Sequence, residues 1–278
     1  MHNYLTRDDI LPGDFIQASR KEAVKYGVKF LPSEVVNAEI FKDGGFAVYT
    51  DKKKVFFAKK LVLATGLRDN IPAIEGIHDF YGRSVFHCPY CDGWEIRDKR
   101  IGIYAKNKNG FELALSLATW SRDVCFLTGG RNYLGADEKK TLEAFNIPLI
   151  TTPVIKMEGK NGQLSHLVLK DHRKIPLDAF FFVNGYTQQC DLVNGLGCTI
   201  GKQGVAMTNR LQETNVPGVY VAGDAARDMH FVVVAAAEGA RAAVTINKAL
   251  QMEERLLKIK QHDKATKTRS VLSAEKQK

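Results

Sequence analysis

The chain has 278 residues, a formal net charge of +9 and five cysteines. With 45% hydrophobic and 26% charged residues, its composition excludes disorder throughout, and so few cysteines exclude a disulfide scaffold. No apolar run approaches the ~20 residues of a membrane span, and the opening MHNYLTRDDILPGDF lacks the apolar core of a secretory signal, so a cytoplasmic, reducing setting is expected. Residues 251–278 carry a net +4 of the charge. No basic stripe with interleaved aromatics crosses the body, which argues against nucleic acid.

In chain order, residues 12–26 read as a helix that starts on Pro12 and stops at Gly27. Residues 34–60 alternate apolar and polar, with turns at Lys42-Asp43-Gly44-Gly45 and Asp51-Lys52-Lys53-Lys54, the pattern of an antiparallel meander. Leu61–Ala64, Ile101–Tyr104, Val124–Leu127, Ala179–Val183 and Val219–Ala222 are short continuous apolar runs, suited to strands buried on both faces. Phe111, Ala114, Leu115 and Ala118 share one face of a helix over 110–121, and Trp120 continues that face as a core residue. Residues 232–250 are small and apolar, which predicts a helix buried on most sides. A Glu254–Lys258 pair extends it to about 260, and the polar residues 262–278 are expected to be disordered. The class is α/β with a parallel sheet and a small antiparallel meander.

The chemistry concentrates at His87-Cys88-Pro89-Tyr90-Cys91-Asp92-Gly93-Trp94-Glu95. Two cysteines with two residues between them can close a small, reducible disulfide, which in a reducing compartment reads as a redox pair. Asp92 directly after it can shuttle the proton that thiolate formation releases. A structural zinc needs four ligands, and Cys125, Cys190 and Cys198 are scattered singly, so no metal is expected. Two inert buried cysteines are the bland alternative. His87 is either a cation that lowers a thiol pKa or a strand-end residue facing solvent. Tyr90 and Trp94 either wall a substrate groove or simply pack.

LVLATG (61–66) and VYVAGDA (219–225) each end a strand in a small-residue turn. Such turns let the backbone approach a cofactor, and the Asp224 carboxylate can bond a ribityl or ribose hydroxyl. With Cys88–Glu95 between these turns and the small-residue helix Ala235–Ala240 after them, the chain resembles the low-molecular-weight thioredoxin reductase-like flavoproteins over about residues 4–250. CPYCDGWE is closer to a branch that includes dithiol oxidases and atypical reductases.

The resemblance implies an FAD-dependent thiol–disulfide oxidoreductase with two Rossmann-like domains. The FAD domain comprises residues 1–82 and 205–250, the inserted pyridine-nucleotide-type domain residues 83–204, and a charged, partly helical or disordered tail residues 251–278. It implies a Cys88–Cys91 disulfide exchanging electrons with the flavin, Cys91 facing the isoalloxazine, Cys88 attacking an external disulfide, and Asp92 as the acid. Thr65, Gly66, Gly223, Asp224, Phe231 and Val232 would hold FAD, with His230 either near the flavin or at the surface. The implied partner is a dithiol or disulfide on a small protein, for a reductase, or on a small molecule, for an oxidase. A homodimer is implied as well.

Three features depart from the family pattern. The opening strand–GxGxxG–helix for the FAD pyrophosphate has no counterpart before the MHNYL segment, as expected of a shortened gene model or fragment. The inserted domain's GxGxxA for NADPH is replaced by Ala105-Lys106-Asn107-Lys108-Asn109-Gly110. Thr128-Gly129-Gly130 stands where the family grips the 2′-phosphate with an arginine pair, and Arg131 alone is near. These weaken the case for NADPH and open other donors or acceptors: ferredoxin, oxygen or a small-molecule dithiol. The rival from another class is a degenerate member without flavin or catalysis, serving as an interaction module.

Overall fold

A computed structural model describes residues 1–42, 44–227 and 229–275, those beyond 266 by their backbone alone. In chain order, helix α1 (Pro12–Val24) precedes strands β1 (Val35–Ile40), β2 (Phe46–Thr50), β3 (Val55–Ala58), β4 (Leu61–Leu63) and β5 (Leu67–Asp69). Next come α2 (Ile77–Phe80), β6 (Val85–Phe86), α3 (Pro89–Asp92), β7 (Ile101–Ala105), α4 (Asn109–Leu117), β8 (Val124–Leu127), α5 (Ala136–Ala144) and β9 (Leu149–Ile150). Strands β10 (Val154–Lys160), β11 (Gln163–Leu169), β12 (Lys174–Pro176), β13 (Ala179–Val183) and β14 (Tyr186–Gln188) follow, then α6 (Leu192–Gly195), β15 (Val219–Val221) and α7 (Val232–Glu275). The chain forms two compact units: residues 1–28 with 69–187, and residues 29–68 with 188–278.

The first unit is built on a parallel sheet of order β6-β13-β7-β8-β9. Side chains alternate across a strand, so each sheet face takes every second residue. Ile101, Ile103, Val124, Phe126, Ala179 and Phe181 point to one face, against Leu113, Ala114 and Leu117 of α4 and Leu142 of α5. Tyr104, Cys125, Leu127, Phe180 and Phe182 point to the other, against Met157, Leu164, Leu167 and Leu169 of the antiparallel sheet β10-β11-β12. These strands are buried along nearly their whole length, as the continuous apolar runs require. The Arg100 guanidinium binds both carboxylate oxygens of Asp178 at 2.9 and 2.6 Å, tying the starts of β7 and β13. That pairing holds the Asp178 carboxyl at about 2.

The second unit contains the expected meander, β1-β2-β3, antiparallel throughout, and a parallel pair of β4 and β15. Its core joins Ala38, Phe46, Leu63, Val219 and Val221. Asp43 of the expected 42–45 turn lies outside the described residues.

Two expectations are corrected. The helix over 232–250 is not buried on most sides: among its described residues only Glu238 and Ala242 are buried, and Val233 and Val244 are exposed. Small apolar residues permit close packing without requiring it, and here the close approach is that of Ala235 to the Gly223 turn. The backbone beyond 260 is helical to Glu275 rather than irregular, because α7 has neither proline nor a helix-ending glycine after Gly239.

Candidate active site

Strand β6 ends at Phe86 and delivers His87 to the disulfide turn. Cys88 is the N-cap of the single-turn helix α3, and Pro89 occupies its first turn, where a missing N–H costs nothing. The turn brings the Cys88 and Cys91 Cα atoms to 5.4 Å, and the two sulfurs are bonded. Both cysteines are half-buried, so the pair is held by the fold yet open to attack. Gly93 closes the turn by donating to the Pro89 carbonyl at 2.9 Å. A side chain at Gly93 would meet that carbonyl at 2.3 Å and the Trp120 indole at 2.9 Å.

Asp92 is half-buried beside the disulfide. Burial pushes its carboxyl above the usual range, the nearby His87 and His2 charges partly oppose this, and Glu95 adds to it. A carboxyl kept protonated closer to neutrality is a usable acid for a departing thiolate. His87 lies with Nδ1 3.5 Å from Asp69 Oδ2, and Asp69 accepts a hydrogen bond from the Tyr81 hydroxyl. Tyr90 is 65% exposed, so it does not pack. Trp94 is also exposed, with its ring edge-on to Trp120 and the Arg97 guanidinium 4.1 Å from its centroid. Cys125 is buried in β8, and burial pushes its thiol to about 12. Cys198 is likewise buried, and Cys190 is half-buried.

Among the predicted cofactor residues, β4–β15 pairing at Leu63↔Val221 sets the Thr65-Gly66 and Gly223-Asp224 turns at neighbouring strand ends. The Thr65 hydroxyl oxygen is buried with no partner. It lines a cavity of about 570 Å³ with Leu63, Arg68, Gln189 and Cys190. Gly223 has φ +77°, and a Cβ there would lie 3.3 Å from Ala235 of α7. Only glycine combines that backbone with that approach. Glu238 on α7 accepts from the Gly223 N–H at 2.9 Å and pairs with Arg227. Phe231 and Val232 form the entry to this helix, with Ala235 donating to the Phe231 carbonyl at 3.0 Å. Residue-type reasoning missed Asp69, Tyr81, Arg227 and Glu238. Of these, only Glu238 left a signal, as a lone acid inside a small apolar helix.

The chain belongs to the pyridine nucleotide-disulphide oxidoreductase family, which it matches over residues 14–239. Within it, the chain is 30% identical to thioredoxin reductase of Mycoplasma pneumoniae, covering 74% of this chain and 68% of the relative. It is 28% identical to thioredoxin reductase aclD of Aspergillus oryzae, over 92% and 85% of the two chains. The solved structure of HlmI superposes with a TM-score of 0.88 at 30% identity, covering 94% of this chain and 82% of that one. The protein is an enzyme of the thioredoxin reductase-like disulfide oxidoreductase class. No helix among the described residues is long and apolar enough to cross a membrane.

FAD and NADPH, the cofactors of such enzymes, fare differently against these residues. The orphaned Thr65 hydroxyl, the cavity it lines and the Gly223 turn fit the polar chain of a flavin nucleotide. The end of β7 does not fit a nicotinamide dinucleotide. The Tyr133 hydroxyl donates to the Ala105 carbonyl at 2.9 Å, and the Asn107 side chain accepts from the Asn109 N–H at 3.1 Å. Lys108 pairs with Glu138 at 3.3 Å, and Glu138 accepts from the Gly135 N–H at 2.5 Å. The Asn109 N–H and the Lys108 charge, which could meet a pyrophosphate, are thus engaged by the chain itself. At the end of β8 the buried Thr128 hydroxyl oxygen has no partner, and the one cation beside it in sequence is Arg131, whose N–H donates to the Thr128 carbonyl at 3.3 Å.

Proposed function

We propose that Cys88–Cys91 is the redox disulfide of an FAD-dependent thiol–disulfide oxidoreductase, with Asp92 as its acid. The observation that carries this is the bonded, half-buried cysteine pair next to a carboxyl that burial pushes above its usual range. Cys88 exchanges with the external sulfur, and Asp92 protonates the thiolate that departs. Thr65, Gly66, Gly223, Asp224, Phe231 and Val232 would hold FAD, which when bound supplies two-electron chemistry. The cofactor domain takes residues 1–82 and 205–250, with residues 83–204 inserted.

The partner is a dithiol or disulfide on a small protein or small molecule. The names of the thioredoxin reductase relatives favour a small disulfide protein. The CPYCDGWE form and the self-engaged end of β7 favour a small dithiol as the source of electrons. A homodimer and a cytoplasmic setting go with this assignment on family grounds. The test is the purified full chain supplied with FAD. Flavin should stay with the protein through gel filtration, and Cys91→Ser should end disulfide exchange while keeping the flavin. A chain that neither retains flavin nor exchanges disulfides would instead support the interaction-module alternative.

A further inference from the structure

The disulfide turn is preceded by a chain of side chains that lies outside the Cys88–Glu95 segment. Strand β5 ends on Asp69, whose Oδ2 faces His87 Nδ1 at 3.5 Å and accepts the Tyr81 hydroxyl. Both rings lean on one residue of β13: the Tyr81 centroid is 6.0 Å and the His87 centroid 6.5 Å from that of Phe182. Phe182 is 2% exposed, so the two rings share a rigid support. Tyr81 is half-buried, whereas 43% of the His87 side chain remains open to solvent next to Cys88. A histidine paired at one nitrogen with a carboxylate, partly exposed and next in sequence to a redox cysteine, has the layout of an oriented base.

We propose that His87 is the base that activates the incoming thiol, with Asp69 and Tyr81 as its positioning residues. Asp69 draws the ring proton to Nδ1, which leaves Nε2 to accept. The thiol proton of the substrate passes to Nε2, and the resulting thiolate attacks one sulfur of Cys88–Cys91. The new S–S bond forms as the Cys88–Cys91 bond breaks, and the released cysteine leaves as a thiolate that takes a proton from Asp92. The second substrate thiol gives its proton to the Asp92 carboxylate and attacks the mixed disulfide, and the cysteine thiolate that departs takes the proton held on His87. The substrate dithiol ends oxidised to a disulfide and the protein pair reduced to two thiols, with both protons retained. A free thiol has a pKa near ~8.5 and is only slightly ionised at neutral pH, so such a base has a large lever. The charged and titratable groups around His87 are Asp69 on β5, Tyr81 after α2, and Asp92 on α3, with Glu95 and His2 acting on Asp92.

This inference rests on the disulfide assignment above, and one experiment separates the two. Dithiothreitol reduces the full chain anaerobically between pH 5 and 8, and quenched alkylation followed by mass spectrometry gives the rate at Cys88 and Cys91. His87→Gln should slow exchange at pH 7 by about 10²-fold, and added imidazole should restore part of the rate. Asp69→Asn should slow exchange by less, with Asp69→Glu recovering part of the loss, and Tyr81→Phe should slow it least. A His87→Gln protein whose rate at pH 7 is within twofold of the wild type, or one that imidazole does not rescue, would overturn the role of His87. A wild type whose Cys88–Cys91 resists dithiothreitol altogether would overturn the disulfide assignment instead.

Discussion

The ends of β4 and β15 in one unit and the end of β7 in the other are both parallel strands running into turns. Their polar groups are left in opposite states. At β4–β15 the Thr65 hydroxyl is buried without a partner, beside a cavity, and a positive-φ glycine lies against α7. At β7 the Ala105 carbonyl takes the Tyr133 hydroxyl, Asn107 turns back on Asn109, and Lys108 and Glu138 bind each other. A turn with unmet polar groups invites a ligand, and a turn that satisfies itself has little to offer one. On the proposed reading, the same architecture would serve a cofactor in one unit, while in the other it carries the disulfide.

The strongest way to sharpen that contrast is to separate the units chemically. Cys91→Ser should abolish disulfide exchange yet leave FAD retention unchanged, as read by flavin absorbance after gel filtration. Next in size, Asp224→Ala should weaken FAD by about 1.5–3 kcal/mol, roughly 10- to 150-fold, through loss of a charge-assisted hydrogen bond. Calorimetric titration checks this, and an unchanged affinity would break the cofactor half of the comparison. Smaller again is Tyr133→Phe, which strips the Ala105 carbonyl of its donor. It should lower stability by about 1 kcal/mol in urea unfolding without creating affinity for NADPH. Nicotinamide binding gained by this variant would show that Tyr133 merely blocks a competent site.

The smallest effect concerns the scaffold under β7. The Asp178 carboxyl sits at about 2 beside Arg100, below its ordinary ~3.9. A depressed acid stabilises the fold above the unfolded value and loses that contribution as pH falls towards about 2. Asp178→Asn should therefore be slightly less stable than wild type at pH 7, by under ~1 kcal/mol for so exposed a pair. The difference should fade through acid titration.

Much of this was legible in the residues. Apolar runs such as Ile101–Tyr104 and Ala179–Val183 mark buried strands because both of their faces are covered. The cysteine spacing marks the redox turn. The β10–β11 hairpin carried a readable signal in Asn161-Gly162, whose φ values of +55° and +80° suit the tight turn that this dipeptide favours. The support for His87 was not legible. Asp69 ends β5 and Tyr81 follows α2, and only the folded chain brings Tyr81 and His87 to that one carboxylate. Nothing in their local sequence distinguishes them from surface residues. Tyr133 was hidden for the same reason, since its hydroxyl meets a carbonyl 28 positions away.

The most direct test supplies the full chain, loaded with FAD, with either NADPH or dithiothreitol under anaerobic conditions, then alkylates and maps the cysteines. Dithiothreitol should yield alkylated Cys88 and Cys91 with Cys125 unmodified, its thiol being held at about 12 by burial. NADPH should leave the Cys88–Cys91 bond intact. Equal alkylation of the pair with NADPH would contradict the assignment of β7 as a scaffold without a nicotinamide site.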